Sequence, residues 1–206
     1  MRQPRRLSRT RHRDGFIARW AWLAVGLGLV AGFTVFPPSV QGKDHYASTL
    51  GVLKAVPPMK APEFTLPDSE GNQVALKDFR GSVVFLNLWA SWCPACRAEM
   101  PSMERLYQKF KDYGFTILAV NLKENPSTVR AFMEQFRLTF PALLDRRGKV
   151  ASLYGLWSIP MTVLIDPDGN IVGRAIGGRN WSSQDGCRYI GSLLAHSKLA
   201  KAEVEC

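Results

Sequence analysis

The 206-residue chain predicts an α/β domain with a mixed central sheet flanked by helices. Three observations carry that expectation. The first is Val83 to Trp89, an apolar run of strand length, followed at once by a helical pattern with Met100, Met103, Leu106, Tyr107 and Phe110 three or four residues apart. The second is the order of the remaining segments, in which strand and helix patterns alternate and end in a hairpin and a last helix. The third is size: residues 61–206, about 146 in all, are enough for one domain with its own core.

Taken in order, the domain opens with a hairpin. Phe64-Thr65-Leu66 and Gln73 to Leu76 flank Asp68, Gly71 and Asn72, residues that form turns. Val83 to Trp89 is the first buried strand, and Pro94 to Asp112 the first long helix, which Pro101 should kink. Phe115 to Val120 is a second apolar strand. Asn125 or Ser127 caps a helix carrying Val129, Phe132, Met133 and Phe136. Leu143-Leu144 is a brief strand, with a short helix near Lys149 to Leu153. Thr162 to Ile165 and Ile171 to Ile176 flank the turn Asp166-Pro167-Asp168-Gly169-Asn170. Ser182 or Ser183 caps a last helix reaching about Lys198.

The segment before the domain is different in kind. Residues 1–19 hold seven arginines and one acid, so +6 of the net +10 belongs to a tail. The high isoelectric point therefore does not mark a nucleic-acid surface, since no binding module follows that tail. Residues 20–36 are apolar and uncharged and end at Pro37-Pro38. At about 17 residues the run suits a short membrane anchor, with a cleaved signal as the alternative. Arginines on one side only put the tail in the cytoplasm and the domain outside the inner membrane. Residues 37–60 read as a linker.

The chemistry concentrates at Trp92-Cys93-Pro94-Ala95-Cys96, where the first strand hands over to the first helix. A Cys-x-x-Cys pair on one helical turn meets the Cα spacing that a disulfide needs. Unpaired N–H groups and the helix dipole favour thiolate at Cys93, with Cys96 one turn behind to resolve it. A zinc site would need a second ligand pair, and His12, His45 and His196 form no cluster with Cys187 and Cys206. Haem attachment needs histidine where Arg97 stands. A purely structural bridge across so short a loop would stabilise little. Cys187 and Cys206 either form a structural bridge between the last helix and the C-terminus or remain thiols.

With its flanks Ala61-Pro62-Glu63-Phe64, Lys77-Asp78-Phe79-Arg80-Gly81 and Asn87-Leu88-Trp89-Ala90-Ser91-Trp92, the motif resembles the thioredoxin superfamily. Within it, the chain resembles the extracytoplasmic TlpA/ResA-type thiol-disulfide oxidoreductases, from about Ala61 to about Ala195. The resemblance implies a thioredoxin-like fold with an added N-terminal β-hairpin. Residue pattern alone favours a trans bond before Pro160. The resemblance instead implies a cis Pro160 beside the disulfide, an Ile159 backbone that pairs with a client strand, and Trp92 on the docking surface. It also implies that Glu99 lies near the cysteines and affects their titration. Asn87 stands where thioredoxins usually have a titratable aspartate.

The function so implied is reduction of client disulfides, such as those of apocytochrome c or a copper-site assembly protein, in cytochrome c biogenesis. A membrane thiol carrier of CcdA/DsbD type would be the electron donor, and no metal or organic cofactor is required. A disulfide-forming oxidase shares both cysteines and differs in potential, which Pro94-Ala95 helps to set. A copper-binding chaperone would want one residue more between the cysteines. A peroxiredoxin would want a Pro-x-x-x-Thr-x-x-Cys pattern, which is not present.

Overall fold

The computed structural model describes residues 45–195. After a helical turn at 45–49 come β1 (Leu53–Lys60), β2 (Thr65–Pro67), β3 (Gln73–Ala75) and a 3-10 turn at Leu76–Phe79. Then follow β4 (Val83–Trp89), α1 (Pro94–Phe110), β5 (Phe115–Leu122) and α2 (Pro126–Phe136). The rest is β6 (Ala142–Asp145), α3 (Lys149–Leu153), β7 (Met161–Ile165), β8 (Asn170–Ile176) and α4 (Gln184–Leu194). The tail, the apolar segment 20–36 and Cys206 lie outside the described residues. Among the described residues no helix is long and apolar enough to cross a membrane.

Six strands form one mixed sheet in the order β1-β8-β7-β4-β5-β6. β4, β5 and β6 run parallel, while β7, β8 and β1 join antiparallel. β2 and β3 form the expected hairpin, pairing Thr65 with Ala75 and Leu66 with Val74. The Asp68 carboxylate closes its turn, accepting the Glu70 and Asn72 N–H groups at 2.8 and 2.9 Å.

β4 sits between β5 and β7, and all seven of its residues are buried. That is why it reads as a continuous apolar run rather than an alternating one. Val83, Phe85 and Trp89 pack with Met100, Met103, Leu106 and Phe110 of α1 on one face. Val84, Leu86 and Leu88 pack with Leu76, Val150 and Tyr154 on the other. Each such side chain contributes about 1.5–3 kcal/mol by leaving water. Phe85 also meets Trp181 edge to face, with centroids 4.7 Å apart.

The helix starts follow their caps. Asn125 accepts the Thr128 N–H and Ser183 the Gly186 N–H. α1 continues as one helix through Pro101.

The linker expectation needs correcting. Ala47, Leu50 and Val52 are core residues, and β1 pairs antiparallel with β8 at the sheet edge. Seven of the eight β1 residues are exposed, so the strand shows no apolar alternation and is held by its backbone. Its register shifts between Lys54 and Met59, across Pro57-Pro58, which have no N–H to give a ladder. The domain therefore starts before Ala61.

Candidate active site

Cys93 follows β4 by four residues and is the N-cap of α1, with Pro94 in the first turn. Its sulfur is bonded to Cys96, with Cα atoms 5.3 Å apart, and accepts the Cys96 N–H at 3.2 Å. Cys96 is fully buried, whereas Cys93 keeps 4 % exposure. Of the two, Cys93 is the less enclosed. A sulfur there that accepts a helix N–H, with no acid in the first turn of α1, favours the thiolate.

One turn beyond Cys96, Glu99 points into the protein and is 2 % exposed. Asn87 of β4 donates Nδ2 to Glu99 Oε1 at 2.9 Å, and to Thr162 Oγ1 of β7 at 3.1 Å. Trp181, beyond β8, donates Nε1 to Glu99 Oε2 at 3.1 Å. Burial raises the Glu99 carboxyl to about 7, opposed by the Asn87 and Trp181 hydrogen bonds, the Arg179 N–H and the Arg179 charge. A carboxyl group poised near neutrality, on the same helix one turn beyond Cys96, can hold or release a proton during exchange.

The loop 177–181 covers this carboxyl. The Ser102 hydroxyl accepts the Trp181 N–H at 3.0 Å. Arg179 ties the loop to the Leu50 and Ile176 carbonyls and lies over the Trp181 ring. Gly178 packs directly on the first turn of α1: a Cβ there would lie 2.6 Å from the Ala95 carbonyl oxygen. Gly178→Ala must therefore push the loop off the helix. We expect a loss of about 1–3 kcal/mol in denaturant unfolding. Stability within about 0.5 kcal/mol of the parent would count against so tight a contact.

The segment leading into Cys93 is braced from the other side. Glu124, after β5, accepts the Ser91 N–H at 2.7 Å, the Ser91 hydroxyl at 2.5 Å and Asn121 Nδ2 at 2.6 Å. Arg97 donates to the Ser91 carbonyl at 3.2 Å and lies over the Phe132 and Phe136 rings. Thr162, Trp181, Arg179 and Glu124 were not among the residues expected from sequence. Only Glu124 had a signal, an acid just past the C-terminal end of a parallel strand, where such sheets place their sites.

The Ile159–Pro160 bond is cis, and Pro160 is buried immediately before β7. Trp92 is 69 % exposed beside Cys93. Ile159 lines a groove together with Trp92. Cys187 is buried on α4 and disulfide-bonded, far from the Cys93 motif in sequence. The Cys206 half of the expected bridge lies outside the described residues.

A disulfide at the N-terminus of the helix that follows β4, in a sheet whose β7 is entered through a cis proline, defines a dithiol-disulfide protein of thioredoxin-like fold. Residues 58–174 match the AhpC/TSA family, and the chain belongs to that family. It is 39 % identical over 155 residues to the thiol-disulfide oxidoreductase ResA of Bacillus anthracis, covering 75 % of this chain and 80 % of that one. The ResA of Bacillus thuringiensis subsp. konkukian is 42 % identical over 113 residues, 55 % of this chain. There the match spans 65 % of the relative's length. Among solved structures, the thioredoxin domain of a thiol-disulfide oxidoreductase from Bacteroides vulgatus superposes with a TM-score of 0.59 at 29 % identity. That superposition covers 66 % of this chain and 95 % of the other.

Proposed function

We propose that the chain is a membrane-anchored, extracytoplasmic oxidoreductase that reduces disulfides of client proteins. The observation that carries this reading is the Cys93–Cys96 couple, with the outer sulfur at the helix N-terminus and the inner one buried. Cys93 thiolate attacks one sulfur of a client disulfide, forming a mixed disulfide and releasing the client's other thiolate, which takes a proton. Cys96, losing its proton, attacks the Cys93 sulfur and displaces the second client thiolate. Two electrons have then passed to the client, and Cys93–Cys96 is oxidised.

Glu99, buried one turn behind Cys96, is the nearby group suited to exchanging the proton that Cys96 loses. Trp92 and the Ile159 backbone form the docking surface, the latter as an added strand contact. An arginine-rich tail before an apolar run supports an anchor in the inner membrane with the domain outside. Outside, reducing power has to come through that membrane, from a thiol carrier of CcdA/DsbD type. Apocytochrome c and copper-site assembly proteins are the clients in view.

The reduction potential of the Cys93–Cys96 couple tests the direction. It is read in defined thiol buffers by differential alkylation, so that Cys187 and Cys206 do not contribute. A value near about −270 mV supports a reductant, whereas one near about −120 mV would make disulfide formation the function.

A further inference from the structure

A groove of about 660 Å³ is lined by Trp92, the residue before Cys93, and by Ile159. Its floor is apolar, formed by Leu122, Ala151, Leu156 and Ile159, and Trp92 and Trp157 stand along it. Trp157 is 77 % exposed and Trp92 69 %. Tryptophan gains more from burial than almost any side chain, so two of them facing one depression make an unfilled contact surface. The groove includes the chain neighbour of the reacting cysteine, because Trp92 precedes Cys93, and it includes the segment that enters the cis proline, because Trp157 lies three residues before Pro160. Between them, the Ile159 N–H and C=O form no hydrogen bond with any described residue. A small disulfide would reach Cys93 and leave Trp157 uncovered, whereas an extended polypeptide would cover both.

The rim is charged in one sense. Lys123 and Arg147 line the groove, both exposed, and neither makes an ion pair with a described residue. The one acid on the rim, Glu124, already accepts three hydrogen bonds from Ser91 and Asn121. Lys123 is also one of two non-glycine residues in the left-handed region among those described, with φ 59°. Its stem lies against Gly148, at φ 68°, where a Cβ would come within 3.1 Å of the lysine Cε. The Lys123 stem thus runs beside the groove wall at Gly148, while the side chain stays exposed.

We infer that the groove selects client polypeptides by the sequence beside their cysteine: an apolar or aromatic side chain lies between Trp92 and Trp157, and a carboxylate sits between Lys123 and Arg147. This rests on the reading of the chain as a client-protein oxidoreductase and adds which clients it takes. Opposite charges at an open rim act on encounter and selectivity, and salt weakens them.

The test uses the full chain, kept reduced by dithiothreitol with the uncatalysed rate subtracted, and two synthetic peptides that share an internal disulfide and a neighbouring phenylalanine. They differ only in carrying aspartate or lysine beyond it. The expected kcat/KM favours the aspartate peptide about tenfold at low salt, a preference that shrinks in 1 M salt. In Lys123→Gln/Arg147→Gln the ratio falls to about one. In Trp157→Ala both peptides lose about tenfold through KM while their ratio persists. A ratio of one in the unaltered protein, or an unchanged ratio in the double variant, overturns the inference.

The same peptides with serine for cysteine, titrated by tryptophan fluorescence, separate the two readings. Selective binding without turnover would sink the redox reading and keep the groove. Turnover without selective binding would sink the groove and keep the redox reading.

Discussion

Cys93→Ser is expected to lower disulfide exchange by at least about 10³-fold, because a hydroxyl at this position is a far weaker nucleophile than a thiolate. Cys96→Ser should behave differently. It keeps the outer sulfur and loses the resolving one, so the first step proceeds and the mixed disulfide accumulates. The structure sets this asymmetry. Cys93 is the N-cap of α1 and retains some exposure, whereas Cys96 has none. Mass analysis after incubation with a disulfide-containing client should show a covalent adduct on Cys96→Ser and none on Cys93→Ser. A greater yield on Cys93→Ser would reverse the assignment of attacking and resolving thiols.

The next largest effect concerns Glu99 and pH. Its carboxyl titrates near 7 in the fold, against 4.5 for an unperturbed glutamate. Between those values the folded chain keeps a proton that the unfolded chain has lost. The stability linked to this proton is therefore complete below 4.5 and is lost as pH rises through about 7. The difference corresponds to about 3 kcal/mol. Urea unfolding from pH 4.5 to 8.5 should show that decline in the parent, and Glu99→Gln, which cannot ionise, should flatten it. The variant should also lose an inflection near 7 in kcat/KM for a client disulfide, since it can no longer take up or release a proton there. An equal slope in parent and variant would mean that another group carries the pH dependence.

What was legible in the sequence follows from how locally each feature is determined. Cys93, Cys96 and the start of α1 lie within one turn, so their spacing alone places two sulfurs together. β4 was legible because burial on both faces demands an unbroken apolar run. Caps such as Asn125 and Ser183 mark helix starts through their own side chains. β1 left no such mark, because backbone pairing at an edge asks nothing of side chains that face water.

The surroundings of Glu99 were illegible for another reason. The contacts from Asn87 and Trp181 to Glu99 join residues 12 and 82 apart, and that from Asn87 to Thr162 joins residues 75 apart. These distances come from folding the sheet and mean nothing as spacings along the chain. The cis Pro160 became visible only through resemblance, since most X-Pro bonds are trans.

β4 is hydrogen-bonded to strands on both sides and buried along its whole length. Its amides belong to the class that exchanges with solvent only when the whole molecule opens. The cysteines stand just past the end of this immobile strand, in a segment clamped by Glu124 and Arg97. News of whether the pair is oxidised or reduced thus has no soft route through the sheet to a distant surface. A partner has to read the redox state by touch, at the first turn of α1, where the less enclosed cysteine lies.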